Sequence, residues 1–194
     1  MIDGTEYTQD DIRRWELGRA RAALALLKDR IGDEPMRELL TEDLRAADRA
    51  MAPLPNASGG AWRSAVTEME IGGITAEEFL TWRQGRLASA GRTALLSANP
   101  EHYLADPADG VVEIIETIGS GRLRFLLTFH DGVAIKGEGH ETCPVRIGGT
   151  GRLTDGTEIC RVMHEFDDGP HGLHIRPTIR FPAHAPEHVI TGHQ

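Results

Sequence analysis

All nine histidines of this chain lie at or beyond position 102: His102, His130, His140, His164, His171, His174, His184, His188 and His193. Imidazole is the usual acid or base near neutral pH and the commonest metal ligand, so chemistry is expected from the second half of the chain. Two residues stand out there. Glu116 and His164 each interrupt a strand face that is otherwise apolar.

The faces follow from hairpin arithmetic. Val111 to Ile118 and Arg122 to His130 alternate with period two across Gly119-Ser120-Gly121. With Ser120-Gly121 as a two-residue loop, Ile118 is expected opposite Leu123, Glu116 opposite Phe125, Ile114 opposite Leu127 and Val112 opposite Phe129. Only Glu116 is polar on that face, and the other carries Glu113, Thr117, Arg124, Thr128 and His130. In the last hairpin, with Asp167 opposite Pro170, Phe166 is expected to face His171, His164 to face Leu173, Val162 to face Ile175 and Cys160 to face Pro177. That face continues through Ile179 and Phe181, and its polar members are His164 and, near the turn, His171.

A buried carboxylate is expensive and its pKa rises, whereas a buried imidazole can stay neutral. On a concave sheet face, Glu116 and His164 would be an acid–base pair tuned by burial. Phe125, Leu127, Phe129, Val162, Phe166, His171 and Ile175 would line the pocket around them. In the competing structural reading, His164 bonds to backbone in the core and Glu116 sits at a sheet margin, paired with an Arg from a helix.

Other constellations carry less. The segment 164–174 holds three histidines and three carboxylates. Its register sets His164 and His171 on one face and His174 on the other, and its spacing is not that of HExxH, so no metal site is expected. His184, His188 and His193 fall in a tail interrupted by Pro182 and Pro186. Cys143 and Cys160 form no CxxC pair and are expected as reduced thiols. Gly137-Glu138-Gly139-His140 lacks the phosphate-loop pattern, and Gly148-Gly149-Thr150-Gly151 reads as a turn or bulge. Arg161, His174, Arg176 and Arg180 read as a solvated face balanced by Glu113 and Glu165. Of the 21 basic residues only Lys28 and Lys136 are lysine, a bias ascribed to base composition.

The elements that position these residues come in a simple order. Thr8 caps a helix to Ile31, with a stripe of Ile12, Trp15, Leu24, Leu27 and Ile31 and a stop at Gly32. Asp33 caps a second helix to Met51, on which Met36, Leu39, Leu40, Leu44 and Ala47 recur. Residues 53–60 are loop. A short strand is expected within 64–71. Thr75-Ala76-Glu77-Glu78 is a capping box that opens a helix to about Ala98, where Gly85 and Gly91 weaken it and Asn99-Pro100 ends it. Trp15, Trp62 and Trp82 are expected to pack. After a loop come four strands, 111–118, 122–130, 157–166 and 172–181, with a weaker one within 145–153. The fold class is therefore α+β: amino-terminal helices packed on a curved antiparallel meander, conical or partly closed, over residues 1–182, with 183–194 as a tail.

This element order resembles the conical α+β ligand folds of the nuclear-transport-factor-2-like group. The resemblance implies a cavity that in such folds serves isomerases, dehydratases, cyclases or plain binders.

The 194 residues, with 40% hydrophobic and 26% charged, suit one globular domain. A net charge of −9 argues against nucleic acid, and the absence of a long apolar run argues against a membrane span. The default compartment is the cytoplasm. The function expected is proton transfer on a small organic molecule by Glu116 and His164 without a cofactor. The alternatives are a non-catalytic binder of a small hydrophobic ligand and a histidine-based metal protein. The helices serve as cover or as the surface of a homodimer.

Overall fold

The computed structural model describes residues 6–131 and 143–193. Helices come first. α1 (Gln9–Ile31) is capped by Thr8, whose hydroxyl accepts from the Asp11 amide while the Asp11 carboxylate accepts from the Thr8 amide. The second expected helix is two, α2 (Asp33–Leu39) and α3 (Thr41–Met51), parted at Leu40. Gly32, with φ +75°, stands between α1 and α2. Asp33 does not cap α2; it reaches the guanidinium of Arg92 instead. The segment expected as loop contains a short turn of helix, α4 (Leu54–Ala57).

The ambiguous region 64–71 resolves into two strands, β1 (Trp62–Val66) and β2 (Met69–Gly72). The capping box is present at Thr75 and Glu78, and α5 (Ala76–Ala98) follows. Gly91 breaks α5 with φ +38° and ψ −112°, a conformation open to glycine and strained for other residues. Then come β3 (His102–Ala108), β4 (Val111–Ile118), β5 (Gly121–Asp131), β6 (Val145–Arg152), β7 (Glu158–Gly169), β8 (Gly172–Pro182) and α6 (Glu187–Thr191).

The strands make one antiparallel sheet in the order β1-β8-β7-β6-β5-β4-β3, with β2 also paired to β8 beyond β1. The fold is α+β as expected, and the sheet does not close into a barrel, which corrects the partly closed option. The hairpin registers differ from expectation by even numbers of residues. Ile118 pairs with Gly121, which makes Gly119-Ser120 the loop and sets Glu116 opposite Leu123. Gly169 pairs with Gly172, which makes Pro170-His171 the loop and sets His164 opposite Pro177 and Phe166 opposite Ile175. An even slip keeps every side chain on its face, so the apolar sets survive.

That apolar face holds the core. Phe125, Leu127, Cys160, Val162, Ile179 and Phe181 pack together with Ile118 and Leu123. Gly148-Gly149-Thr150-Gly151 is strand and not turn, and the register with β7 shifts between Gly151 and Arg152, a bulge-type irregularity where one was expected. Gly149 and Gly151 lie within β6, where a Cβ would collide with the Thr128 carbonyl and the Cys160 sulfur respectively. Their missing side chains let Phe125, Phe129 and Val162 meet across the strand. α5 covers this face, through Ala76, Phe79 and Leu80 against Phe166, Leu173 and Ile175. α2 and α3 cover part of the opposite face, where Met36, Leu40 and Leu44 meet Leu104 and Ile115.

The segment expected as a tail is part of the core. Ala185, Val189 and Ile190 are buried against it, and α6 presses on the β4–β5 turn, where a Cβ on Gly119 would strike the His188 carbonyl. Conversely, α1 buries little. Ile12, Trp15 and Leu27 stay exposed, as does Trp82 on α5; Trp15 packs edge-on against Tyr7 and Trp82 against Phe79, both tryptophans outside the core. No described helix is long and apolar enough to cross a membrane.

Candidate functional site

The two residues expected as an acid–base pair are not brought together. Glu116 lies opposite Leu123 on β5. His164 lies level with Ile147, which pairs with Asp131, eight residues further along β5. At roughly 3.3 Å per residue that offset alone is about 26 Å.

Glu116 is buried among partners of its own. Its Oε2 lies 3.2 Å from His102 Nε2 and its Oε1 lies 3.6 Å from His193 Nε2. Asn99 Nδ2 donates to Oε2 over 3.4 Å. Burial alone would push this carboxyl up, but the hydrogen bonds and charge of the two imidazoles outweigh it and hold Glu116 at about 2. The expected helix Arg is thus replaced by two histidines. His193 Nδ1 is buried without a hydrogen-bond partner among the described residues. The cluster ties together β4, the end of α5, the start of β3 and the chain terminus after α6.

His164 is partly buried, and burial together with the nearby Arg83 guanidinium pushes its imidazole down to about 4. It is neutral at pH 7. Phe125, Leu127, Val162, Phe166 and Ile175 are closed core, Phe129 packs at the core's margin, and His171 is exposed in the β7–β8 turn. His174 projects from the face opposite His164, as its pairing with Asp167 requires. Among the described residues no group of three or more His, Cys, Asp or Glu is arranged to hold a metal ion. Cys143 and Cys160 are both free, and burial pushes the Cys160 thiol far up. The segment Gly137 to His140 lies outside the described residues. The basic face is neutralised locally: Arg176 pairs with Glu165 and Glu68, and Arg161 pairs with Glu158 while lying 4.3 Å over the Trp62 ring. Glu113 serves Arg37 on α2 instead.

A concavity lies elsewhere, between α1 and the second half of α5. It has a volume of about 400 Å³. Arg21, Leu24, Ala25 and Lys28, spaced three, four and seven apart, present one face of α1 to it. Arg92, Thr93, Leu96 and Ser97 form the opposite wall, and Pro100 closes one end. The break at Gly91 redirects this part of α5, and Asp33 grips Arg92 just after the break, with Nε to Oδ1 at 2.7 Å. Its walls are mainly aliphatic, with cations from Arg21, Lys28 and Arg92 and one carboxylate, Asp29. Lys28 is 4% exposed, donates to the Pro100 carbonyl over 2.6 Å and stands 5.8 Å above the Tyr103 ring. Burial, and then the neighbouring Arg92, hold its ammonium below the usual lysine range. A second, smaller hollow of about 260 Å³ lies around Trp62, Arg161 and Pro182. Neither hollow is lined by Glu116 or His164.

Sequence reasoning missed Lys28 because the lysine count was read as composition. It missed His102 because β3 was taken for loop. The signal for β3 was present in Asp109-Gly110, both at positive φ (52° and 81°), which is type I′ hairpin chemistry and requires a strand on each side.

No protein-family model matches the chain, and no curated protein does. Among solved structures the chain is similar to an uncharacterized protein from Rhizobium leguminosarum, at 17% identity over 66% of this chain and 82% of that one, with a TM-score of 0.34. A similarity that distant carries no function.

Proposed function

We propose that the chain binds a small organic anion with a short apolar body in the cleft between α1 and α5. One observation carries the reading: a concavity of about 400 Å³ combines aliphatic walls with three cationic side chains on a protein of net charge −9. Ligand sites typically enclose roughly 300–1,000 Å³, with mostly apolar walls and a few convergent polar groups. Local positive potential in a cleft attracts anions and concentrates them at the site. The binding alternative of the sequence reading was a small hydrophobic ligand on the sheet face; this reading differs from it in both the cleft and the charge of the ligand. The first expectation, acid–base catalysis by Glu116 and His164, is not favoured here because the two share neither a contact nor either hollow.

The test uses 8-anilinonaphthalene-1-sulfonate, an apolar body carrying one sulfonate. Saturable fluorescence enhancement is expected with the native protein. It is expected to be lost in Ala25→Trp, which fills the cleft, and weakened in Arg21→Glu, with far-ultraviolet circular dichroism unchanged in both. Equal binding by all three proteins contradicts the reading.

A further inference from the structure

Lysine is scarce in this chain, and one of its two lysines stands in the cleft wall. The position is unusual for the side chain. The stem and ammonium of Lys28 are buried, with Pro100, the Tyr103 ring and Arg92 as surroundings. A lysine kept only for charge would be expected to reach solvent, since removing an ammonium from water is costly unless a carboxylate pairs with it. No carboxylate pairs with Lys28 among the described residues; its one hydrogen-bond partner is the neutral carbonyl of Pro100.

From this geometry we infer that Lys28 is the nucleophile of an imine-forming site for 2-oxo acids. The inference rests on the cleft being a ligand site and specifies the ligand's chemistry. Arg21 supplies the carboxylate's counter-charge, Arg92 being held by Asp33, and the aliphatic residues Leu24, Ala25 and Leu96 take the rest of the molecule. Desolvation and an adjacent cation both favour the neutral, nucleophilic form of an amine, and both act on Lys28. The Pro100 carbonyl accepts one N–H, which fixes the nitrogen while its lone pair is used.

The step balances without a redox partner. The neutral amine attacks the keto carbon, a C–N bond forms, and the carbonyl π pair moves to oxygen, which takes up a proton. The nitrogen then loses its proton, the hydroxyl leaves with a proton as water, and the nitrogen lone pair closes the C=N bond. Asp29, the carboxylate of the same cleft, is the group available to carry those protons.

The experiment treats the full-length protein with glyoxylate and sodium cyanoborohydride, which delivers hydride to an imine carbon and leaves a stable carboxymethylamine. Peptide mass mapping then locates the product. The expected result is early, stoichiometric carboxymethylation of Lys28, ahead of Lys136 and of the amino terminus. The rate should fall as the pH is lowered, and Ala25→Trp should suppress it. Labelling of Lys28 no faster than Lys136, or none, overturns the inference. If 8-anilinonaphthalene-1-sulfonate still binds the native protein and not Ala25→Trp, the failure is confined to the imine and the cleft stands. Loss of both signals removes the cleft as well.

Discussion

The ammonium of Lys28 on α1 donates to the carbonyl of Pro100, 72 residues later, across 2.6 Å. It is the bond that fastens α1 to the turn between α5 and β3, because α1 otherwise buries few side chains. Its energetics depend on the charge of the nitrogen. Lys28 has a folded pKa below the unfolded value of 10.5. Its contribution is therefore fully present above 10.5 and is lost as pH falls through the lower folded value. The stability difference between wild type and Lys28→Met is predicted to shift toward the wild type as pH rises toward 10.5, measured by urea denaturation. With only two lysines and two tyrosines in the chain, other titrations there are few. A pH-independent difference contradicts the assignment.

Gly91 shapes the cleft from the other side. Open space surrounds it, so a Cβ would meet no atom, but its φ of +38° is strained for any other residue. Gly91→Ala is predicted to cost about 1–2 kcal/mol in stability. It is also predicted to weaken 8-anilinonaphthalene-1-sulfonate binding severalfold, because a straightened α5 carries Arg92 and Leu96 away from α1. Unchanged affinity would mean that the break does not shape the cleft.

Glu116 and His164 divide the acid limb of the stability curve. His164 has a folded pKa near 4 against 6.5 unfolded, so its contribution is present above 6.5 and is lost between 6.5 and 4. Glu116 has a folded pKa near 2 against 4.5 unfolded, so its contribution is present above 4.5 and is lost between 4.5 and 2. His164→Leu is predicted to flatten the upper window and Glu116→Gln the lower one. Denaturant midpoints measured from pH 7 to pH 2 check this, and variants that flatten the same window contradict it.

Gly119 has φ +58° and lies against the His188 carbonyl. Gly119→Ala is predicted to destabilise by about 1–3 kcal/mol through backbone strain and the collision with α6. Displacing α6 should also move His193 from Glu116, so the His193 ring protons should shift in nuclear magnetic resonance spectra. A variant with native stability and an unmoved His193 would show that α6 adapts.

The sequence made the parity of the strands legible, but not their pairing. Alternation identified the faces carrying Phe125 and Val162 correctly, and a shift of two or four residues in each hairpin left those faces intact. Loop choice was the weak point, because several two-residue loops fit Gly119-Ser120-Gly121 and Asp167 to Pro170. The polar exceptions Glu116 and His164 were recognised as anomalous, but their partners were not. His102 and His193 come from a strand read as loop and a terminus read as tail. The cleft was illegible for a physical reason. It depends on a helix break at one glycine and on an ion pair between Asp33 and Arg92, 59 residues apart, and periodicity reports neither. The apolar stripe of α1 misled because Ile12, Trp15 and Leu27 are not covered, while the face that lines the cleft is built from Arg21, Leu24, Ala25 and Lys28.

The central claim is that the α1–α5 cleft is a site for small organic anions. The most direct test is an amide ¹H–¹⁵N titration of the protein with octanoate. Saturable shifts confined to residues 21–29 and 92–100 are the predicted result. Shifts centred on the sheet residues around Glu116 or His164, or no saturable shift at all, would contradict it.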